Sequence, residues 1–321
     1  IILTKSSAKF MPDTHFNLFY DEIYSTGLDP SARFPVSRYS KLRKRLLELD
    51  EKKIIGWRKP CLANVNDLLL VHDEKYVQRF LSGNLDESEI RRIGLRPWKD
   101  AIVERTLRLT GGALDALGLV LSGHSISGNM AGGTHHAFRN AGAGYCIFND
   151  LAICAEKALQ QPEINRVLIL DLDVHQGDGT ADIFKDDDRV FTVSLHGRNN
   201  FPFRKKVSNL DIAFENDTED DLYLSNLEKV LNKLKAIPFD LIFYQAGVDG
   251  LTSDALGLLS LTREGLRERN RQVLKWRKEL NLPLLVFMGG GYSRPIESTV
   301  DAFSDLFIQV AREVLETKGT N

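Results

Sequence analysis

The chain has 321 residues, of which 43% are hydrophobic and 27% charged, and its formal net charge is −2. This composition is typical of a globular protein, and the near-neutral charge excludes a global basic field that would attract nucleic acid. No apolar run reaches the ~20 residues that a membrane-spanning helix needs, so we expect neither a membrane nor a direct nucleic-acid partner.

Three cysteines, Cys61, Cys146 and Cys154, are widely spaced along the chain. Their odd number argues against a disulfide framework, and their spacing argues against a structural zinc cluster. We therefore expect a reducing compartment, the cytoplasm, with the nucleus as an open alternative. The first residue is isoleucine, so the sequence leaves open whether a targeting segment precedes it, and it leaves the oligomeric state open as well.

Strand-like apolar runs alternate with helical patterns along most of the chain. In chain order, the patterns predict helices at 40–49, 99–121 and 151–160, strands at 167–170 and 190–195, a helix at 221–236, a strand at 241–244, a helix at 263–280, a strand at 284–288 and a helix at 296–315. This alternation predicts an α/β fold with a mainly parallel central sheet flanked by helices on both faces. Because no repeat or Pro/Gly-rich linker interrupts it, we expect residues 1–321 to form a single domain.

Two adjacent histidines, His135 and His136, follow the glycine pair Gly132-Gly133 between the second and third predicted helices. Glycines permit a tight, closely approaching backbone. A histidine pair can share the work of base and acid when carboxylates hold the imidazoles in the correct tautomers. An ordinary pair of loop histidines is the alternative that this motif alone leaves open.

A second motif follows shortly after the histidine pair. Asn149 and Asp150 are typical of a helix N-terminus and directly precede the third predicted helix. Gly144 and Tyr145 would line a narrow channel with Phe201 opposite, because aromatic walls suit an apolar stem such as a lysine side chain. Ordinary core packing of the two aromatic rings is the alternative.

The strand predicted at 167–170 leads into a block of three acidic residues, one histidine and two glycines. If the strand continues, side chains two apart share one face, so Asp171, Asp173 and His175 would point the same way. Two carboxylates and an imidazole at one place are costly unless a cation or hydrogen bonds compensate. The block therefore predicts a metal site.

The three later predicted strands are also followed by residues that suit a site. His196 follows the strand at 190–195, Asp249 follows the strand at 241–244, and a glycine run follows the strand at 284–288. Ligands of open α/β sheets bind outside the carboxyl ends of the strands, so these loops would converge on one crevice. Asp173, His175 and Asp249 would then bind a catalytic divalent ion such as zinc, although ligand types alone leave ferrous iron open. A strand-end aspartate that caps a turn or helix is the alternative reading.

Tyr292 directly follows the glycine run at 289–291. Glycines let the backbone approach a ligand, and a tyrosine hydroxyl at this position could donate to an oxyanion opposite the metal. Asp171 and Asp178 remain as candidates to orient the two histidines. A loop tyrosine packed by its ring is the alternative.

With these residues assembled, the chain resembles the zinc-dependent histone deacetylase family, which has the arginase/deacetylase fold. The resemblance extends from about Phe34 to near the C-terminus. Its motifs occur in family order, namely the His135-His136 pair, the block at 171–180, the turn at 246–249 and the glycine-rich turn into Tyr292.

Two further stretches, 249–261 and 200–205, are most similar to the class IV branch and its bacterial relatives. The resemblance implies a zinc-dependent lysine deacetylase or deacylase that hydrolyses N-ε-acyl-lysine amides through a metal-activated water. Its partner would be an acyl-lysine peptide or protein.

The resemblance also implies two ion sites and a product channel. Zinc would be bound by Asp173, His175 and Asp249. A structural potassium ion behind the zinc site would lie near Asp171, Asp173, His175, Ser194 and Leu195. Arg38 matches an arginine that lines an internal product channel in the family.

The catalytic roles carry over to matching positions. His136 would be the main general base and acid, oriented by Asp178, and His135 would be its electrostatic partner, oriented by Asp171. Tyr292 would stabilise the tetrahedral oxyanion. The substrate would be contacted by Gly144, Tyr145, Phe201 and Leu256.

The chain departs from the family pattern at two positions. Residues 93–97 lack the rim aspartate that anchors the substrate backbone in many relatives. Leu256 stands where polyamine-specific relatives carry an acidic gatekeeper, which argues against a cationic polyamine. An amidohydrolase acting on acetylated small molecules or polyamines, a binuclear ureohydrolase of the arginase type and a non-catalytic acyl-lysine-binding protein remain as alternatives, and the acyl chain length stays open.

Overall fold

The computed structural model describes residues 14–316. Within them the strands are β1 (Phe16–Phe19), β2 (Ile55–Arg58), β3 (Ile126–Asn129), β4 (Val167–Asp171), β5 (Val190–Gly197), β6 (Leu210–Phe214), β7 (Leu241–Gln245) and β8 (Leu284–Phe287). The helices are α1 (Ile23–Thr26), α2 (Ser37–Leu49), α3 (Val65–Leu68), α4 (Glu74–Leu81), α5 (Glu87–Ile93), α6 (Ala101–Leu121), α7 (Asp150–Ala158), α8 (Asp178–Phe184), α9 (Asp220–Leu234), α10 (Arg263–Leu280) and α11 (Glu297–Glu316).

The eight strands form one sheet in the order β2-β1-β3-β8-β7-β4-β5-β6. All of its neighbouring strands run parallel. Every residue of β1, β3, β4, β7 and β8 is buried, which requires cover on both faces. The predicted α/β fold with a parallel central sheet is therefore confirmed.

Hydrogen bonds from two side chains of the sheet show which helices cover its two faces. Asn129 and Gln245 share one row of the sheet, because both are register partners of Phe287. Asn129 donates to a carbonyl of α6 at 2.9 Å. Tyr244 points to the opposite face and donates to Asn270 of α10 at 2.7 Å. Helices α6 and α10 thus lie on opposite sides of the sheet.

All four predicted strands and all six predicted helices are present, with ends that differ by at most a few residues. The remaining four strands, β1, β2, β3 and β6, were not predicted. Strand β3, for example, reads Ile-Ser-Gly-Asn and is buried only by its neighbours. The edge strands β2 and β6 are partly exposed.

The order of the strands decides where the site forms. Strands β3, β8, β7, β4 and β5 are neighbours, so the loops that follow them meet at one edge of the sheet. This confirms the expected convergence and adds the loop after β3, which carries the histidine pair. None of the helices between residues 14 and 316 combines the length and apolar composition needed to cross a membrane.

Candidate metal centre and active site

Asp173, His175 and Asp249 lie together beyond the carboxyl ends of β4 and β7. The Nδ1 atom of His175 is 3.1 Å from Oδ1 of Asp173 and 3.0 Å from Oδ2 of Asp249. One ligand atom from each residue lies within 4.8 Å of the others, and all three side chains are buried. This trio, predicted from the sequence, could hold a metal ion.

The strand does not continue through this block, so the expectation that Asp171 faces the same way as Asp173 is wrong. β4 ends at Asp171, whose Oδ1 accepts from the amide of Asp173 at 3.1 Å. Asp173 Oδ1 accepts in turn from the amide of His175 at 3.0 Å. These hydrogen bonds to nearby carboxylates take the place of the backbone hydrogen bonds between strands, so the chain turns after Asp171. Asp171 therefore contacts His135, whereas Asp173 and His175 face Asp249.

The glycine run after β8 brings backbone against the two carboxylates. The amide of Gly290 donates to Asp173 Oδ2 at 2.7 Å. A Cβ atom at this position would lie 2.0 Å from Asp249 Oδ2, so any larger residue would push the carboxylate out of place. The second oxygen of Asp249 accepts from the amide of Val174 at 2.9 Å.

The electrostatics of the trio suit a cation. Burial raises the pKa of Asp249, and the nearby carboxylate of Asp173 raises it further, to about 7. Burial alone would lower the pKa of His175, but its hydrogen bonds to the two carboxylates outweigh burial and raise it to about 10. Two buried carboxylates this close need positive charge between them. The donor set of two carboxylates and one imidazole therefore fits a divalent metal ion.

Each histidine of the adjacent pair contacts its own carboxylate. Nδ1 of His135 lies 2.7 Å from Asp171 Oδ2, and Nδ1 of His136 lies 2.6 Å from Asp178 Oδ1. An ionised carboxylate can only accept, so Nδ1 of each ring carries the proton. The Nε2 atom of each imidazole is thereby left for other partners. The ring centroids of His136 and His175 are 5.9 Å apart, which brings the pair beside the metal trio.

The two histidines differ in their preferred charge. Burial would lower the pKa of His135, but the carboxylates of Asp171 and Asp173 outweigh it and raise the pKa to about 9. Burial lowers the pKa of His136 to about 4, and the neighbouring His135 adds to that effect. At neutral pH the pair therefore combines one cationic and one neutral imidazole.

The loop that carries the histidines is held by side chains from two other elements. The Asp150 carboxylate accepts from the amides of Gly133 at 3.0 Å and Thr134 at 2.8 Å, and Gln245 donates to the Gly133 carbonyl at 2.8 Å. Gly133 has a φ of +77°, and a Cβ there would lie 2.0 Å from Gln245 Oε1. Asn149 caps α7 as predicted, accepting from Ala152 at 3.0 Å. No local pattern indicates that Asp150 and Gln245 hold this loop.

A cavity of about 380 Å³ leads from the surface to His136 and His175. It is lined by His136, Gly144, Tyr145, His175, Asn199, Asn200, Phe201, Phe203, Leu256, Leu258 and Tyr292. The four residues predicted to contact a substrate are therefore brought together at one opening. The ring of Phe201 lies 4.8 Å from that of His136, so it forms a wall of the cavity and is no core aromatic.

Tyr292 lines the same cavity as His175 of the metal trio. Its ring centroid is 6.4 Å from that of His175 and 5.8 Å from that of Tyr145. Burial raises the pKa of the Tyr292 hydroxyl well above its ordinary value. The hydroxyl is therefore a hydrogen-bond donor throughout the neutral range.

Asp254 is a site residue that the sequence analysis missed. Its carboxylate accepts from the amide of Tyr292 at 2.6 Å and from the amides of Leu256 at 2.8 Å and Gly257 at 2.9 Å. It thus joins the loop of Tyr292 to the loop that forms the mouth of the cavity. The available signal was an aspartate in a Ser/Gly-rich turn, a residue type that often binds nearby amides.

Arg38 lies behind Tyr292 and is buried. It donates to the carbonyls of Gly289 and Gly291, both at 3.2 Å, and its guanidinium is 5.6 Å from the centre of the Tyr292 ring. These contacts border a small internal cavity of about 40 Å³. The position agrees with the internal channel expected for Arg38, although passage of a product stays a prediction.

Of the residues predicted to surround potassium, Asp171, Ser194 and Leu195 lie on adjacent strands of the sheet, whereas Asp173 and His175 lie beyond the end of β4. Ser194 on β5 is the register partner of Asp171 on β4, and the buried Leu195 follows it. His196 does not join the site, since its Nδ1 lies 3.0 Å from Ser194 Oγ and 3.9 Å from Asp211. The potassium ion itself stays a prediction.

The chain is similar to known proteins over most of its length. A family model described as histone deacetylase domain matches residues 33–305. An uncharacterized protein of Picosynechococcus sp. is 41% identical over 93% of this chain and 99% of its own length. Histone deacetylase 2 of Arabidopsis thaliana is 28% identical over 95% of this chain and 81% of its own length. Histone deacetylase 8 of Xenopus laevis is 29% identical over 74% of this chain and 78% of its own length. The range matched by the family model contains every residue of the site described above.

Proposed function

The chain belongs to the histone deacetylase family, and from this premise we propose that it is a zinc-dependent hydrolase that cleaves N-ε-acyl-lysine amides in polypeptides. The observation that carries the proposal is the buried Asp173–His175–Asp249 trio beside two histidines that each contact a carboxylate. Membership of the class IV branch stays a prediction.

The trio supports zinc by its number and kind of ligands. Catalytic zinc takes three protein ligands and keeps a further position open, which matches two carboxylates and one imidazole. When bound, the ion would polarise the acyl carbonyl and make a water molecule more acidic. Ferrous iron accepts the same donors, so metal analysis of the purified protein is part of the test. Among residues 14–316 no second group of three such ligands forms, which disfavours the two-metal ureohydrolase.

His136 is the residue best suited to move protons. It is neutral at neutral pH because its pKa is lowered to about 4, and its proton is held at Nδ1 by Asp178 at 2.6 Å. The free Nε2 would accept a proton from water and then deliver it to the departing lysine amine. His135, whose Nδ1 contacts Asp171 at 2.7 Å, would stabilise negative charge that develops beside it.

Tyr292 would donate its hydroxyl hydrogen to the oxygen that becomes negative when the amide is attacked. Its raised pKa keeps that hydrogen in place. Asp254 would hold the donor in position through its 2.6 Å contact with the Tyr292 amide.

The shape of the cavity supports a lysine stem and a short acyl group. Gly144, Tyr145, Phe201 and Leu256 would surround the apolar stem. The acyl group would face the internal cavity, whose volume of about 40 Å³ holds only a few water-sized groups. Acetyl should therefore be preferred to octanoyl or myristoyl.

The test is an assay of the metal-analysed protein on lysine peptides that carry acetyl, butyryl, octanoyl or myristoyl groups, beside acetylated polyamines. Hydrolysis of an acyl-lysine should be lost in Asp249→Ala, which removes a ligand. It should persist in Asp186→Ala, which removes an exposed carboxylate outside the site.

Two other outcomes would overturn the proposal. A preference for acetylated amines over every lysine peptide would make the protein a small-molecule amidohydrolase, although the apolar Leu256 at the mouth disfavours cationic polyamines. Tight binding of acyl-lysine without any turnover by the metal-loaded protein would make it a non-catalytic binding protein.

A further inference from the structure

Three segments of the chain frame the mouth of the cavity beside the loop of Asp254, whose carboxylate already accepts from three backbone amides. The ring of Phe34 lies 5.3 Å from that of Tyr145. The carbonyl of Ile93 accepts from the amide of Tyr145 at 2.7 Å. Phe201 forms part of the wall itself. We call the stretches 33–34, 92–96 and 198–206 the mouth segments.

The charges of the mouth segments all have one sign. They contain Arg33, Arg92, Arg96, Arg198, Arg204, Lys205 and Lys206, and no aspartate or glutamate. The whole chain has a net charge of −2, so this bias is local. The stretch 93–97, which lacks the acidic rim residue that many members of the family carry, contributes a basic residue.

Some of these charges already have partners. Arg198 pairs with Glu215 at 2.6 Å, and Lys206 pairs with Asp182 at 2.8 Å. Lys205 donates to three backbone carbonyls of its own loop. Arg92 donates to the carbonyl of Gly142 at 2.9 Å. The uncompensated charges are those of three exposed arginines that have neither an ion pair nor a side-chain hydrogen bond with any residue between 14 and 316, namely Arg33, Arg96 and Arg204.

Unpaired charges of one sign around a concave opening with apolar walls act on an approaching substrate. The walls here include Phe203, which is 87% exposed, and Leu256 and Leu258, which are 43% and 40% exposed. Field lines concentrate over such walls, and at physiological salt they extend about 8 Å from the surface. That distance spans the residues on either side of a bound acyl-lysine.

We propose that the polypeptide substrate carries carboxylate side chains within a few residues of the acyl-lysine. The inference rests on the proposed function, since it concerns the surroundings of the same scissile amide. A segment rich in lysine and arginine would meet three uncompensated like charges at the mouth. Acidic segments are therefore the substrates, and basic tails are disfavoured.

The experiment compares acetyl-lysine peptides that are identical except for the two residues on either side of the lysine. These residues are acidic in one peptide, amides in the second and basic in the third. At low ionic strength kcat/KM should be about tenfold higher for the acidic than for the basic peptide, because exposed charge pairs are individually weak. The ratio should approach one at high salt, where exposed charges are screened.

A triple variant tests whether the mouth residues cause the preference. Arg33→Gln, Arg96→Gln and Arg204→Gln together should reduce the acidic-to-basic ratio to nearly one. The matched control is Arg312→Gln, an exposed arginine of α11 that likewise forms no ion pair with a residue between 14 and 316, and it should retain both the activity and the preference.

Equal rates on the three peptides, or faster hydrolysis of the basic one, would overturn the charge preference and leave the deacetylase function intact. A preference that persists in the triple variant would also overturn it. Absence of turnover on every peptide would overturn both.

Discussion

The acid sensitivity of the fold should depend on His72, a buried histidine outside the metal trio. Its Nδ1 lies 3.0 Å from the carbonyl oxygen of Phe138, and its Nε2 lies 2.9 Å from the amide nitrogen of Asn149. Because an amide nitrogen only donates, Nε2 must accept and Nδ1 must carry the proton. The neutral ring therefore ties together both ends of the loop that follows the histidine pair.

The size of the effect follows from the pKa of His72. Burial lowers it from 6.5 to about 4, because the buried charged form is unfavourable. Above pH 6.5 the side chain is neutral in the folded and the unfolded chain. As the pH falls from 6.5 towards 4, the unfolded chain binds a proton that the folded protein does not bind, so the free energy of unfolding decreases. At about 1.4 kcal/mol for each pKa unit, this loss amounts to about 3 kcal/mol.

The assay is urea denaturation of the metal-loaded protein across the window from pH 6.5 to 4. His72→Gln keeps an acceptor for Asn149 but cannot titrate. It should be less stable than the wild type at neutral pH, because the donor to Phe138 is lost, yet lose about 3 kcal/mol less on acidification. The difference between the two curves isolates His72, since all other ionisable groups are common to both. Exposed His15→Gln is the control, and its curve should follow the wild type. Parallel curves for His72→Gln and the wild type would refute the reasoning.

Three further predictions concern the site. Tyr292→Phe should lower kcat by roughly 10²–10³-fold, because it removes the oxyanion donor and keeps the ring; a loss below about threefold would contradict that role. Asp254→Asn should lower kcat more than it changes KM and leave the metal content intact, because an amide nitrogen in place of Oδ2 cannot accept from the Tyr292 amide 2.6 Å away; an unchanged kcat measured with full metal content would count against it. Free zinc at about a hundred times its Kd should raise the free energy of unfolding by about 2.7 kcal/mol above that of the protein in excess chelator, because zinc binds the folded protein and not the unfolded chain. Asp249→Ala should abolish this dependence on zinc, and a variant as zinc-dependent as the wild type would place the metal elsewhere.

Much of the fold could be predicted because its signals are local. The four contiguous strands β8, β7, β4 and β5 are present where apolar runs predict them. The long helices are present where apolar periodicity predicts them. Strand β3 was missed because the burial of Ile126–Asn129 comes from its neighbours in the sheet and not from an apolar run. The rule that loops after parallel strands share one edge predicted the convergence of Asp173, His175 and Asp249.

The exact pairing within the site depended on longer-range structure. Local spacing left Asp171 and Asp178 as interchangeable partners for the two histidines, and only the family resemblance assigned them. The structure brings His135 to Asp171 at 2.7 Å and His136 to Asp178 at 2.6 Å. The reason is the end of β4, where side-chain acceptors outcompete the strand ladder and turn the chain after Asp171.

The sequence by itself determined the residue types of the site and their location at strand ends, because apolar strands and the polar loops after them are consecutive in the chain. Only the tertiary structure decided which amides Asp254 holds, how Gln245 and Asp150 support Gly133, and which arginines are left uncompensated at the mouth. Those contacts join residues from separate loops, and their existence depends on packing distances that no local pattern contains.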